Sequence, residues 1–139
     1  MPEKETIERA REDAREGKSP STQAGEFVRE EMHHIREGKH GAASPQQAIA
    51  IGLSKARRAG VKLQPPEQGK SSAETRKKAT RDYRKGQSAS RSKTSTRRSR
   101  ATTNVRKRKG RQAASPQALA KHARSTAHRR TSSSRRRAA

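Results

Sequence analysis

Acidic side chains all but stop after residue 63. Residues 1–63 carry 12 Lys and Arg against 10 Asp and Glu, a net charge of +2, whereas residues 64–139 carry 24 against 3, a net charge of +21. Blocks that differ this much usually do different jobs, a folded unit and a basic interaction segment. The second block cannot neutralise itself by internal salt bridges, and self-repulsion at this charge works against compaction. Only 25% of the 139 residues are apolar, and Phe27 and Tyr83 are the aromatic side chains. Ordering each residue costs roughly 1–2 kcal/mol of backbone entropy, which so few large apolar groups do not offset along the whole chain. Low hydropathy with high net charge reads as disorder. The expected fold class is mostly α: a small N-terminal helical unit of two to three short helices, then a largely disordered basic tail with nascent helices.

The boundaries follow from composition. Residues 1–63 form the helical domain, with its core in 20–63. The stretch Gln64-Pro65-Pro66-Glu67-Gln68-Gly69 opens an extended Pro/Gly linker over 64–70, and 71–139 is the basic tail. In the first block a helix is expected from about Glu3 to Glu16, ended by Gly17. Ser19-Pro20 and Ser44-Pro45 are helix starts, serine at the cap and proline at the first helical position, and Gln47 adds a capping-box residue to the second of them. Gly38 and Gly60 end those two helices, with Val61 placed for the apolar contact that accompanies a glycine stop. Ala24, Phe27, Val28, Met32 and Ile35 recur at helical spacing. The expected core is Phe27, Val28, Met32, Ile35, Ile49 and Leu53. Ala48, Gly52 and Ala56 make a small-residue row suited to a tight helix–helix contact within the domain. A core of this size is marginal, so a homo-oligomer or a protein partner for residues 20–63 would help it.

In the second block, Ser71-Ser72-Ala73-Glu74 offers a capping box for a charged helix from about 72 to 85, stopped by Gly86. That helix has almost no apolar stripe. Ser88 to Thr103 is low-complexity Ser/Thr/Arg/Lys and reads as disordered. Val105–Lys109 and Ser115–Arg130 read as nascent helices and Ser132 to Ala139 as tail. A local pattern also recurs: Arg36-Glu37-Gly38-Lys39-His40-Gly41-Ala42-Ala43-Ser44-Pro45-Gln46 matches Arg108-Lys109-Gly110-Arg111-Gln112-Ala113-Ala114-Ser115-Pro116-Gln117 with one residue fewer. True duplication and mere reuse of helix punctuation both account for it. The second copy lacks the isoleucines and leucine that follow the first, so it buries little alone.

The residue types point to phosphate. Arginine forks bind phosphate bidentately and lysine acts as a point charge. The candidate nucleic-acid contacts are Arg76, Lys77, Lys78, Arg97, Arg98, Arg100, Arg106, Lys107, Arg108, Lys109, Arg111, Arg129, Arg130, Arg135, Arg136 and Arg137. Zinc-finger spacing, a basic region leading into leucine heptads and an aromatic stacking platform are all lacking, which argues against base-specific readout. Lys55, Arg57 and Arg58 sit at a helix C-terminus, the wrong end for a recognition helix. Glu30-Glu31-Met32-His33-His34 holds two overlapping Glu-x-x-His pairs, a spacing used by di-metal carboxylate bundles, with His40 nearby. The further helices and carboxylates of such a site are missing, so mixed charge on a solvated helix face accounts for the pattern. No metal centre and no cofactor is expected, while Zn²⁺ or Ni²⁺ binding at His33 and His34 stays open. No Gly-rich phosphate loop or nucleophile elbow is present, no cysteine exists, and no enzymatic activity is expected. No small-molecule substrate and no membrane partner is expected. The start, Met1 to Arg15, has no apolar run, so the expected location is cytoplasmic, at the nucleoid.

Gly25-Glu26-Phe27-Val28-Arg29-Glu30-Glu31, Arg36-Glu37-Gly38-Lys39 and Gln47-Ala48-Ile49-Ala50-Ile51-Gly52-Leu53-Ser54-Lys55-Ala56 together resemble a bacterial domain-of-unknown-function family of small basic proteins. The resemblance covers roughly residues 20–63 and implies a helix, a Gly-Lys-rich loop and a second helix, with no activity attached. The tail resembles histone-H1-like Lys/Arg/Ser/Ala segments, which implies chromosome association. The expected function is sequence-independent DNA binding by phosphate neutralisation, in the manner of a nucleoid-associated protein. Two alternatives share the charge argument: RNA or ribosome association, and a protein-interaction adaptor tethered by the basic tail.

Overall fold

The computed structural model describes residues 2–88 and 95–138; side chains at 133–135, 137 and 138 lie outside that description. Among the described residues there are six α-helices: α1 (Lys4–Arg15), α2 (Pro20–Arg36), α3 (Pro45–Arg58), α4 (Ala73–Gln87), α5 (Thr96–Lys107) and α6 (Pro116–Ala138), with one 3-10 turn at Gln112–Ala114. None of these helices is long and apolar enough to cross a membrane.

The helix ends follow their local chemistry. Ser19 Oγ accepts from the Thr22 amide at 3.3 Å and Ser44 Oγ from the Gln47 amide at 3.2 Å. Each satisfies an amide that the first helical turn leaves free. The Gln47 side chain turns back to accept from the Ala43 amide at 2.7 Å, one residue before the cap position of an ideal capping box. Gly17, Gly38 and Gly60 close the first three helices with φ of 76°, 77° and 101°, a region costly for any residue with a Cβ. After Gly60, the Val61 amide donates to the Ala56 carbonyl at 3.1 Å, and the Val61 side chain is buried.

Packing is built on small residues. Ala48, Gly52 and Ala56 are all buried, and a Cβ added at Gly52 would lie 2.7 Å from Val28 Cα. The row therefore brings α3 against the backbone of α2, the tight contact its spacing predicts. Two apolar clusters result. Ala10, Ala24, Phe27, Ala56 and Val61 form one, with Ile7, Leu53 and Leu63 packed on it. Ile35, Ala42, Ala48, Ala113 and Ala114 form the other, with Met32 against it. Val28 and Ile49 are half-buried.

The largely disordered tail is a correction. Every described residue of 96–107 and 116–138 is helical, and so is 73–87. The nascent helix at Val105–Lys109 is the end of α5, which starts at Thr96. The nascent helix at Ser115–Arg130 is part of α6, which runs through the expected tail to Ala138. Thr96 to Thr103, read as disordered low complexity, lies inside α5; the rest of that reading, residues 89–94, lies outside the described residues. The charged helix also runs past Gly86 rather than stopping there.

The physical reason is that polar and small groups do what large apolar ones were expected to do. In α4, Ala79 and Asp82 are buried. Asp82 accepts from Arg58 Nε at 2.8 Å and from Ser54 Oγ at 2.7 Å. Gly86 abuts the Arg57 carbonyl so closely that a Cβ there would overlap it. The segment between α3 and α4 is gripped from both sides: Arg57 Nε donates to the Leu63 carbonyl at 3.2 Å and Arg76 Nε to the Pro66 carbonyl at 3.1 Å. Further on, Ala113 and Ala114 bury themselves against Ala42 and Ile35, and Arg36 Nε donates to the Ala114 carbonyl at 3.3 Å. The second copy of the repeated segment thus docks on the first. It reproduces the first copy's start as well, since Ser115 Oγ accepts from the Ala118 amide at 3.2 Å.

Helix α5 buries no residue. Its hold is at one end, where the Gly41 amide donates to the Arg106 carbonyl at 2.9 Å and a Cβ at Gly41 would overlap the Lys109 carbonyl. Along its length Thr102 and Thr103 hydroxyls donate to the carbonyls of Arg98 and Ser99 at 3.0 and 2.9 Å. Those bonds satisfy the threonines locally and leave the arginine side chains outward.

Candidate nucleic-acid interface

Charge segregation is sharper than the two-block count suggests. Asp82 is the last acidic residue, and 19 Lys and Arg follow it. Among the described residues, the ion pairs join acids between Glu3 and Asp82 to bases between Arg9 and Lys78. Most of the ion pairs that the first block makes are within it. Arg9 meets Glu26 at 3.0 Å and Lys18 meets Asp13 at 2.7 Å. Bonds from Asp13 and then Glu16 push the Lys18 ammonium above its usual range. Glu3 is held below its ordinary value by the hydrogen bond to His34 and then by Lys39, and Lys39 is raised by Glu37 and then by Glu3.

The expected phosphate contacts divide among three surfaces. On α4, Lys77 is exposed, Lys78 is paired with Glu74 at 2.7 Å, and Arg76 is half-buried on Pro66. Arg97, Arg98, Arg100, Lys107, Arg108 and Arg111 are exposed on and just after α5, whereas Arg106 and Lys109 are half-buried. Lys109 Nζ donates to Gln47 Oε1 at 3.2 Å. On α6, Arg129, Arg130 and Arg136 are exposed, and Arg135 and Arg137 share its backbone. The list from sequence omitted Lys121 and Arg124, which α6 exposes on the side away from half-buried Leu119, His122 and Thr126. Spacing of three to four residues was the signal that could have found them. Lys55, Arg57 and Arg58 are committed to Glu31, to the Leu63 and Gln64 carbonyls, and to Asp82.

At 1.5 Å per residue, α6 is about 34 Å long, close to one turn of duplex DNA. Neither aromatic ring is free to stack on a base. Phe27 is buried, and Tyr83 is half-buried with its hydroxyl accepting from Gln64 Nε2 at 3.2 Å. Beside the α5 docking point lies a shallow groove of about 400 Å³, floored by Ile51, Ala101 and Val105 and edged by Arg106 and Lys109. The histidines separate as well: His33 is exposed, while His34 and His40 turn inward toward Glu31.

No family model matches the chain, and no curated protein or solved structure matches it.

Proposed function

We propose that this protein binds duplex DNA without sequence preference and without catalysis, neutralising phosphates with the arginines and lysines of α5 and α6, in the manner of a nucleoid-associated protein. The observation that carries this reading is the run of 19 cations after Asp82 with no acid among them. Held on helices, the cations of α5 and α6 lose less freedom on meeting a phosphate backbone than they would on a random coil. Each neutralised phosphate releases a condensed counterion, so affinity falls steeply with salt. Buried or occupied aromatic rings favour the duplex backbone over unstacked bases as the target, because single-strand binding relies on aromatic platforms. Tail deletion, the obvious test, would also strip α4 from α3 and uncover Ala42. Surface substitution is the cleaner experiment.

The full chain and an Arg97→Gln, Arg98→Gln, Arg100→Gln variant are titrated with random-sequence duplex at several salt concentrations. All three positions are exposed, on a helix that buries no residue. The expected wild-type slope of log affinity against log salt is steep and negative, at about 0.9 per phosphate contact, and the variant's is shallower by up to about 2.7. A shallow slope for the wild type refutes the reading. Equal slopes for the two proteins remove α5 from the interface.

A further inference from the structure

We infer that Glu31, His34 and His40 form a binding site for one divalent transition-metal cation of the Zn²⁺ type. The inference is independent of DNA binding. Donor atoms of these three residues lie within 4.8 Å of one another. Two ligands on one tetrahedral zinc stand about 3.3 Å apart, so modest side-chain adjustment closes the set. Two imidazoles with one carboxylate suit zinc and its neighbours, not calcium or magnesium.

The local geometry points to a cation more than to a salt bridge. Glu31 is fully buried, and its Oε2 has no hydrogen-bond partner. His40 Nε2 stands 3.1 Å from that oxygen, yet it too has no hydrogen-bond partner. On its other side His40 Nδ1 faces the Gly41 carbonyl at 3.4 Å. A carbonyl can only accept, so where Nδ1 donates to it, Nε2 is the nitrogen left facing Glu31. Nε2 and Oε2 therefore sit side by side, close and without a hydrogen bond between them, as two ligands of one ion do. A backbone carbonyl on the far ring nitrogen is the partner that usually orients a metal-bound histidine.

The surroundings add to this. Lys55 holds the other oxygen of Glu31, which orients the carboxylate and leaves Oε2 for the ion. A second triad, Glu3, Glu30 and His34, shares His34 and adds two carboxylates, and Glu30 Oε2 is also buried without a partner. Three carboxylates thus converge on the two imidazoles, faced by Lys39 and Lys55. His33, which sequence spacing also offered, is exposed and outside both triads.

The test uses the full, untagged chain with Zn²⁺, and with Co²⁺ as a spectroscopic stand-in. Competition against a chromogenic chelator is expected to give one ion per chain. His34→Ala and His40→Ala each weaken binding at least tenfold, while His33→Ala leaves it unchanged. Because the alanine variants could disturb the fold, the wild-type imidazole resonances are followed as well, and Zn²⁺ is expected to shift those of His34 and His40 but not those of His33, His122 or His128. No stoichiometric binding overturns the inference. So does binding that survives in the His34→Ala, His40→Ala double variant, or a shift confined to the other histidines.

Discussion

Replacing Gly86 with alanine sets helix propensity and packing against each other. In an open helical position Gly→Ala stabilises by about 1 kcal/mol. At Gly86 the new Cβ would overlap the Arg57 carbonyl oxygen, lie 2.8 Å from its carbon and 3.1 Å from the Gly60 nitrogen. These are backbone atoms and cannot swing aside, so α4 must lift from α3 or fray. Overpacking of this kind costs roughly 1–3 kcal/mol. Lifting α4 also lengthens the Arg58 and Ser54 bonds to buried Asp82. The expected net effect is a loss of about 2 kcal/mol, or about 4–8 °C in melting temperature for a chain of this size. Gly25→Ala is the control: it lies on the exposed face of α2 with nothing within 4 Å of the added Cβ, so propensity alone acts and stability rises. Urea denaturation followed by circular dichroism at 222 nm measures both. A Gly86→Ala protein as stable as the wild type, or more so, refutes the close approach of α4 to α3.

Asp82→Ala is expected to destabilise by about 2 kcal/mol in the same assay. It leaves Ser54 without its acceptor and removes the partner of half-exposed Arg58, whose screening by solvent keeps the loss below that of a fully buried pair. Native-state hydrogen exchange is expected to rank the tail helices. Amides of α4, which buries Ala79 and Asp82, exchange more slowly than those of α5, which buries none. Equal protection in the two would contradict the packing described above.

The start of the chain was readable because its signals are local. Ser19-Pro20 and Ser44-Pro45 cap the helices they were expected to cap, and the Ala48-Gly52-Ala56 row makes the contact its spacing allows. The tail was misread in part because α4 and the Ala113-Ala114 turn are held by contacts that no window of sequence displays. A single glycine, Gly86, lets two backbones touch, and Asp82 reaches Arg58 across 24 residues. The same limit applies to the candidate metal site. Spacing along α2 offered His33 and His34, but His40 joins from the following loop, and only the fold shows that His33 points away.

The docking of one repeated segment on the other also sets an order of events. Arg36 and Ala114 are 78 residues apart, and synthesis adds roughly 5–20 residues per second. The first copy therefore leaves the ribosome roughly 4–16 s before the second exists to cover it. Throughout that interval the Ile35 and Ala42 face lacks the cover of Ala113 and Ala114, while the polypeptide still to come is the cationic half. The nascent chain meets the polyanionic ribosome surface with its alanine-lined seat empty, and closes that seat only when the most basic part of the molecule has been released.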